Sequence, residues 1–249
     1  MKSLGHFLPV PHYGPGGIMR NDLYLRWLAM ALVAFGLIAC GEDAVEVAPT
    51  PTFPSQTGQL QRGSAAIPYQ TGPYGLGTNS TIPNLEFIGY PNYLEAALQD
   101  TLDMKTIQLA DFYNPTGTEV FPEGSPYGAG EPKPKALLLV VSSVWCAPCN
   151  EEAAIILPAK YAKYQPMGGE FLAILADGPN QGVPAEPKNL ILWDKKYEVD
   201  YPSAIDPGTK MLVDAYPTNF VIRTKDMKIL RIGSPDDALW DKFEDILAQ

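Results

Sequence analysis

The chain has 249 residues, with 18 lysines and arginines against 28 aspartates and glutamates, and a formal net charge of −10. An acidic surface of this kind disfavours nucleic acid and anionic lipid headgroups as partners. Its two histidines, His6 and His12, both lie near the N-terminus. Histidine-dependent catalytic triads and histidine-ligated metal sites are therefore excluded for the rest of the chain.

Residues 1–40 have the features of a targeting segment rather than of a folded domain. Arg20 and Arg26 precede an apolar run over residues 27–39 that is too short for a comfortable membrane span. The run ends at Cys40, and a small residue before a cysteine at that point resembles the lipobox of bacterial lipoproteins. The resemblance implies cleavage before Cys40 and lipid attachment there. An ordinary signal peptide or an uncleaved anchor is the alternative.

A lipid at Cys40 would hold the protein at the cell envelope, on the periplasmic side. Several acyl chains anchor a protein stably where a single chain does not. Gly41 after the lipidated cysteine favours the outer membrane over the inner one. Both Met1 and Met19 are suitable start residues.

Composition divides the remainder into a linker and a single domain. Residues 41–80 are rich in Pro, Thr, Gly and Ser and lack a core-forming pattern, so we expect a flexible linker there. Residues 81–249 are enough for one hydrophobic core and too few for two large ones.

The domain alternates between strand-like and helix-like segments. A helical turn is expected at residues 93–98, and Pro158 should kink the helix that contains it. Strands followed by helices, and then by a hairpin, indicate an α/β fold in which a mixed sheet is flanked by helices. The pattern predicts strands at 85–90, 106–112, 136–142, 171–176, 220–223 and 228–232, and helices at 149–164, 187–197 and 236–247.

Two cysteines, Cys146 and Cys149, stand between the buried strand at 136–142 and the helix that follows it. A thiol at a helix N-terminus faces the positive end of the helix dipole, which lowers its pKa and favours the thiolate. A second thiol one turn further on can attack a mixed disulfide and release the product. This arrangement is typical of dithiol–disulfide exchange.

Other uses of a CxxC pair fit the chain less well. A structural zinc site needs four ligands, whereas Cys40 is the only further cysteine and no histidine remains nearby. Haem attachment requires a histidine where Asn150 stands, and a copper carrier would also need a histidine. An inert disulfide is the remaining alternative, but so short a ring makes a poor staple. No metal and no cofactor beyond a redox-active disulfide is expected.

The chain from about residue 82 to 249 resembles the thioredoxin-like fold, a three-layer fold here preceded by an N-terminal extension. More narrowly, it resembles the redoxin or TlpA-like branch of membrane-tethered thiol–disulfide oxidoreductases. The resemblance rests on the Trp-Cys-Ala-Pro-Cys run at 145–149, the leading strand at 137–141 and the segment 216–222, which is similar to the family's cis-proline segment. The segments 109–117 and 201–207 are similar to the leading hairpin and the strand before the cis-proline.

The resemblance implies roles for individual residues. Cys146 would be the exposed nucleophile and Cys149 the more buried resolving thiol. Pro217 would be cis and lie beside the cysteines, and the backbone of Tyr216 would pair with an extended substrate segment. Trp145 would shape the rim of the site.

The sequence departs from the family pattern at several positions. The buried aspartate of thioredoxins is replaced by Val140, so the usual proton acceptor is missing. Glu152, one turn beyond Cys149, is the candidate substitute, and a solvated helix acid is the alternative. The family's helix proline would fall near Ala154, and the usual aspartate after the cis-proline strand is Arg223.

The resemblance implies a protein-disulfide oxidoreductase that works as a reductase, with protein disulfides as clients and a partner protein that reduces it. Two alternatives from other classes remain open. A redoxin-type thiol peroxidase shares the fold, although Leu139, Ser142 and Ser143 do not fit its motif well. The other is a non-catalytic, lipid-anchored binding module whose CxxC is a stable disulfide.

Overall fold

The computed structural model describes residues 68–92 and 104–249. Within them a seven-stranded sheet has the order β2-β1-β5-β4-β3-β6-β7. The strands are β1 (Glu86–Tyr90), β2 (Lys105–Gln108), β3 (Ala136–Ser143), β4 (Gly169–Asp177), β5 (Ser203–Ile205), β6 (Thr218–Arg223) and β7 (Lys228–Gly233).

The sheet is mixed, as the sequence predicted. Strands β3, β4 and β5 run parallel, whereas β6 pairs antiparallel with β3 and β1 pairs antiparallel with β5. All eight residues of β3 are buried, which explains its continuous Leu and Val run, because a central parallel strand is covered on both faces.

Helices connect the strands and share one face of the sheet. They are α1 (Ala147–Glu151), α2 (Leu157–Tyr164), α3 (Pro187–Tyr197) and α4 (Asp237–Leu247), with a π-helical turn (Glu152–Ile156) between α1 and α2. Their buried residues join Leu138 and Val140 in one apolar cluster. The opposite cluster contains Leu137 and Leu139 and is closed by the 3₁₀ helix Leu109–Phe112 and by loops. The three layers place the carboxyl end of β3 where α1 begins.

Two predicted elements differ from those observed. The strand predicted at 106–112 ends at Gln108, and a 3₁₀ helix follows because its spacing turns both Leu109 and Phe112 into the core. The helix predicted at 149–164 begins earlier, at Ala147, and is interrupted by the π turn. Pro158 lies at the start of α2, directly after the π turn. Because Pro158 has no N–H to donate to that preceding turn, its position accounts for the irregularity there.

Residues 68–80, assigned to the linker from composition, pack against the domain. The hydroxyl of Tyr69 donates to the carbonyl of Ile82 at 2.8 Å, and its ring contacts Tyr113. Ser80 accepts a backbone hydrogen bond from Ile229 of β7 at 3.0 Å. This segment therefore covers part of an edge strand that would otherwise present unpaired backbone groups.

Several expectations fall outside the described residues: the targeting segment 1–40 with Cys40, most of the linker and the helical turn at 93–98. Among residues 68–92 and 104–249, no helix is long and apolar enough to cross a bilayer.

Candidate functional site

The two cysteines of the CxxC motif are joined in a disulfide at the junction of β3 and α1, with their Cα atoms 5.3 Å apart. Cys146 is the N-cap residue of α1, and its Sγ accepts a hydrogen bond from the amide of Cys149 at 3.2 Å. The sulfur of Cys146 thus lies where a backbone amide of the first helical turn is directed.

Cys146 is the more exposed of the two cysteines, as expected, but both side chains are almost fully buried. Cys146 is 3% exposed and Cys149 is 0% exposed. Cys146 was expected to be an exposed nucleophile. In the disulfide-bonded state it packs within the apolar cluster that also contains Cys149.

Asn150 fixes the CxxC turn to a neighbouring helix. Its Nδ2 donates to the carbonyls of Val144 at 3.1 Å and Cys146 at 2.6 Å. Its Oδ1 accepts from Lys196 at 3.2 Å and from the hydroxyl of Tyr197, both on α3. From the sequence, Asn150 served only to exclude haem attachment, and this role was not predicted.

Glu152 is buried, with 1% of its surface exposed. The alternative of a solvated helix acid is therefore wrong. Its Oε1 accepts from Nδ2 of Asn219 at 2.9 Å, while Oε2 has no hydrogen-bond partner among the described residues. Burial raises the pKa of Glu152 to about 7, although the hydrogen bond from Asn219 acts in the opposite direction.

Asn219 lies on β6 directly opposite Val140 of β3. The position where the resemblance would place a buried aspartate therefore holds a valine, and the residue paired with it contacts a carboxylate contributed by the helical side. One signal in the sequence indicates this contact, since an asparagine within an apolar strand needs a hydrogen-bond partner.

A second buried acid, Asp194 of α3, lies on the same side of the sheet. Its Oδ2 accepts from the hydroxyl of Ser203 at 2.5 Å, and burial raises its pKa to about 8. The hydroxyl of Tyr201 has no hydrogen-bond partner among the described residues, and both Asp194 and Glu152 raise its pKa electrostatically, after burial as the main cause. Asp194 falls within the helix predicted at 187–197, and nothing in its residue type or spacing indicates a role.

Trp145 and Tyr216 form an aromatic rim beside the cysteines. Their ring centroids are 5.9 Å apart in an edge-to-face arrangement, and Trp145 is 39% exposed. Tyr216 packs against the apolar cluster that contains Cys146 and Cys149, and the peptide bond between Tyr216 and Pro217 is cis. The structure thus brings together Trp145, Tyr216 and the two cysteines from segments that are distant in sequence.

Arg223, another departure from the pattern of the resembled family, lies at the far end of β6. Its guanidinium makes two hydrogen bonds to Asp226, at 3.0 and 2.6 Å. This pair closes the hairpin between β6 and β7. Within the described part of the chain, neither residue has an interaction with the cysteines.

Asp177, at the end of β4, was not identified from the sequence. Its Oδ2 accepts from the indole Nε1 of Trp145 at 3.1 Å and from the amide of Gly182 at 2.9 Å. The carboxylate therefore sets the orientation of the exposed tryptophan next to Cys146.

Comparison with curated proteins finds one informative relative. The chain is 34% identical over 112 residues to the thiol-disulfide oxidoreductase ResA of Bacillus cereus, which covers 43% of this chain and 60% of that protein. The match thus spans about three fifths of the relative's length. No family model matches the chain.

Solved structures of similar architecture include three with TM-scores below 0.5. The thioredoxin domain of a thiol-disulfide oxidoreductase from Bacteroides vulgatus has a TM-score of 0.45 and 13% identity, covering 70% of this chain and 99% of its own. A thiol:disulfide interchange protein from Bacteroides sp. gives 0.46 and 14%, covering 70% and 92%. The exposed lipoprotein thioredoxin of Streptococcus pneumoniae gives 0.41 and 20%, covering 66% and 99%.

The central strand followed by a CxxC and a helix, the mixed sheet and the cis-proline segment agree with what the sequence resemblance implied. The 112 matching residues extend that agreement to a curated protein. In its sequence over this stretch and in its sheet topology, the chain is similar to thioredoxin-like thiol–disulfide oxidoreductases.

Proposed function

We propose that the protein is a thiol–disulfide oxidoreductase that reduces disulfides in client proteins of the cell envelope. The observation that carries this proposal is the bonded pair Cys146–Cys149 at a helix N-terminus, with an amide hydrogen bond to the sulfur of Cys146. In the reduced protein the same amide would stabilise the thiolate of Cys146, which is the attacking species in disulfide exchange.

The reaction takes two steps. The thiolate of Cys146 attacks one sulfur of the client disulfide, so a mixed disulfide forms and the other client sulfur leaves as a thiolate that takes a proton from solvent. The thiol of Cys149 then loses its proton and attacks the sulfur of Cys146. The second client thiol is released, and the Cys146–Cys149 disulfide seen in the structure is formed.

Electrons balance across the two steps. Two electrons pass from the dithiol to the client disulfide, so the client gains two thiols and the protein is oxidised. A partner protein with its own dithiol would return the two electrons by the same exchange in reverse.

Glu152 is the proposed proton acceptor for Cys149. Cys149 has no exposed surface, so its proton cannot pass directly to bulk water. Glu152 follows one turn later, its amide bonds to the carbonyl of Cys149, and one of its carboxylate oxygens is unpartnered among the described residues. A carboxyl group whose pKa lies near 7 suits proton transfer at neutral pH.

The rim would receive the client. The backbone of Tyr216, before the cis Pro217, is proposed to pair with an extended client segment as a short strand, with Trp145 against its side chains. Within the described residues, no backbone hydrogen bond involves Tyr216 outside regular elements.

The direct test measures reduction of a protein disulfide by the prereduced full-length protein. We expect Cys146→Ser to lose the activity entirely and Cys149→Ser to accumulate mixed disulfides with clients. Cys40→Ser is the matched control, because it replaces the one cysteine outside the CxxC motif and should leave the rate of the purified protein unchanged. Full activity of Cys146→Ser would refute the assignment. A disulfide that resists mild dithiol reductants would favour the inert bridge instead.

Lipid attachment at Cys40 is a separate proposal, supported by the sequence pattern alone. Mass spectrometry of the mature N-terminus should find acyl groups on Cys40, and Cys40→Ser should move the protein from the membrane fraction to the soluble fraction of the envelope. An unmodified Cys40 in a membrane-bound protein would contradict it.

A further inference from the structure

A groove of about 320 Å³ opens beside the aromatic rim. Trp145 and Tyr216 form one side of it, and the loops after β4 and before β6 form the rest. Since Trp145 directly precedes Cys146, a polypeptide bound in this groove would have its neighbouring residues next to the reactive sulfur.

The groove carries negative charge without a matching positive charge. Asp177 and Asp214 line it, and no lysine or arginine is among its lining residues. Neither carboxylate belongs to an ion pair within the described part of the chain. The nearby Lys210 directs its ammonium group elsewhere, to the carbonyl of Glu86 and the ring of Phe87.

One of the two carboxylates is held in place. Asp177 accepts hydrogen bonds from the indole of Trp145 at 3.1 Å and from the amide of Gly182 at 2.9 Å. These donors are neutral, so the charge of Asp177 stays uncompensated while its position is fixed. A carboxylate fixed in this way is suited to recognising a cation at a defined distance from the disulfide.

Aromatic and aliphatic surface adjoins the two acids. Trp145 is 39% exposed, Val213 is half-buried, and the ring of Tyr216 completes the wall. Carboxylates beside aromatic faces favour a basic side chain, since the long apolar stem packs on the rings while its charged end reaches the acids.

We propose that this groove selects client segments that carry lysine or arginine close to the disulfide cysteine. The occupant is an extended polypeptide whose basic side chain reaches Asp177 and Asp214 while its backbone passes Tyr216. This inference rests on the proposed function and adds the client's charge to it. Because the chain as a whole has a net charge of −10, long-range attraction of basic clients acts in the same direction.

The test uses two short synthetic peptides with an internal disulfide that differ only in the residues flanking one cysteine, lysines in one and glutamates in the other. The prereduced full-length protein is mixed with each at low salt, the exchange is stopped with acid at intervals, and the reduced peptide formed is quantified by chromatography. We expect the lysine peptide to react about fivefold faster, as one or two partly exposed charge pairs allow. The preference should shrink at high salt, where such pairs are screened.

Variants assign the preference to the groove. Asp214→Asn and Asp177→Asn should each reduce the ratio between the two peptide rates, and Asn at position 177 keeps an acceptor for the indole of Trp145. Asp241→Asn, an exposed change on α4 outside the groove, is the matched control and should leave the ratio unchanged.

The possible failures are distinguishable. If neither peptide is reduced, the proposed function itself is wrong. The inference is overturned if both peptides are reduced equally fast. It is also overturned if the rate ratio is unchanged in both groove variants, or if Asp241→Asn lowers the ratio as much as they do.

Discussion

Asn219 and Glu152, separated by 67 residues in sequence, form a buried hydrogen bond of 2.9 Å. Asn219 comes from β6 and Glu152 from the π turn between α1 and α2. The pair supplies a buried carboxylate on the helical side of the sheet, where β3 has Val140 in the place of an acid.

The first prediction concerns the pH dependence of Glu152→Gln. The pKa of Glu152 is raised by burial from 4.5 to about 7. Between these two pH values the carboxyl group of Glu152 is ionised in the unfolded chain but still protonated in the folded protein. The free energy of unfolding of the wild type therefore falls as pH rises, and the fall is complete above about pH 7. Glutamine cannot titrate. We expect the variant to gain about 3 kcal/mol relative to the wild type between pH 4 and pH 8.

Urea unfolding of the oxidised protein at several pH values measures this difference. If Glu152 also accepts the proton of Cys149, the resolving step should slow in the variant and lose its inflection near pH 7 in single-turnover experiments. A constant stability difference at every pH would contradict the raised pKa, while an unchanged rate profile would remove only the catalytic role.

Asp194→Asn tests the second buried acid. Burial raises the pKa of Asp194 from 3.8 to about 8, and asparagine can still accept the hydrogen bond from Ser203. As for Glu152, the free energy of unfolding of the wild type falls as pH rises between these two pKa values. The variant does not titrate there, so at the upper end of the range it should have gained roughly 5 kcal/mol relative to the wild type. Thermal unfolding across pH measures the gain. Asp241→Asn, at an exposed position, should show no such trend.

Asn150→Ala should loosen the CxxC turn. The change removes hydrogen bonds to the carbonyls of Val144 and Cys146 and the contacts with Lys196 and Tyr197. Losing several partly buried hydrogen bonds should lower the free energy of unfolding by about 1–3 kcal/mol. Tyr197→Phe removes only one of these contacts and should cost less. Equal stability of Asn150→Ala and the wild type would show that α3 does not support the turn.

Gly89→Ala tests the pairing of β1 with β5. A Cβ atom at this position would lie 2.0 Å from the carbonyl oxygen of Ser203 and 2.4 Å from Cα of Ala204. Because both are backbone atoms in a paired strand, they cannot move aside cheaply, and we expect a loss of about 3 kcal/mol or more in urea unfolding. Gly77→Ala, where the nearest atom would be 3.9 Å away, should change stability little.

Local signals explain what was predictable. The apolar run of β3, the CxxC after it and the bounds of α3 follow from residue type and spacing over a few turns, and all were predicted closely. The 3₁₀ helix at Leu109–Phe112 was not predicted because Leu109 and Phe112 fit either a strand or a tight helix. Only the burial of both side chains in the same cluster distinguishes the helix from the strand.

Sequence by itself determined the reactive pair, because Cys146 and Cys149 lie within one helical turn and their pairing needs only the local strand-to-helix junction. Tertiary structure alone decided which groups surround that pair: Asn219 against Glu152, Asp177 against Trp145 and Asp214 across the groove. The physical reason is that these contacts join segments separated by tens of residues. Whether such side chains meet depends on the order and register of the strands that carry them, which residue spacing along the chain does not encode.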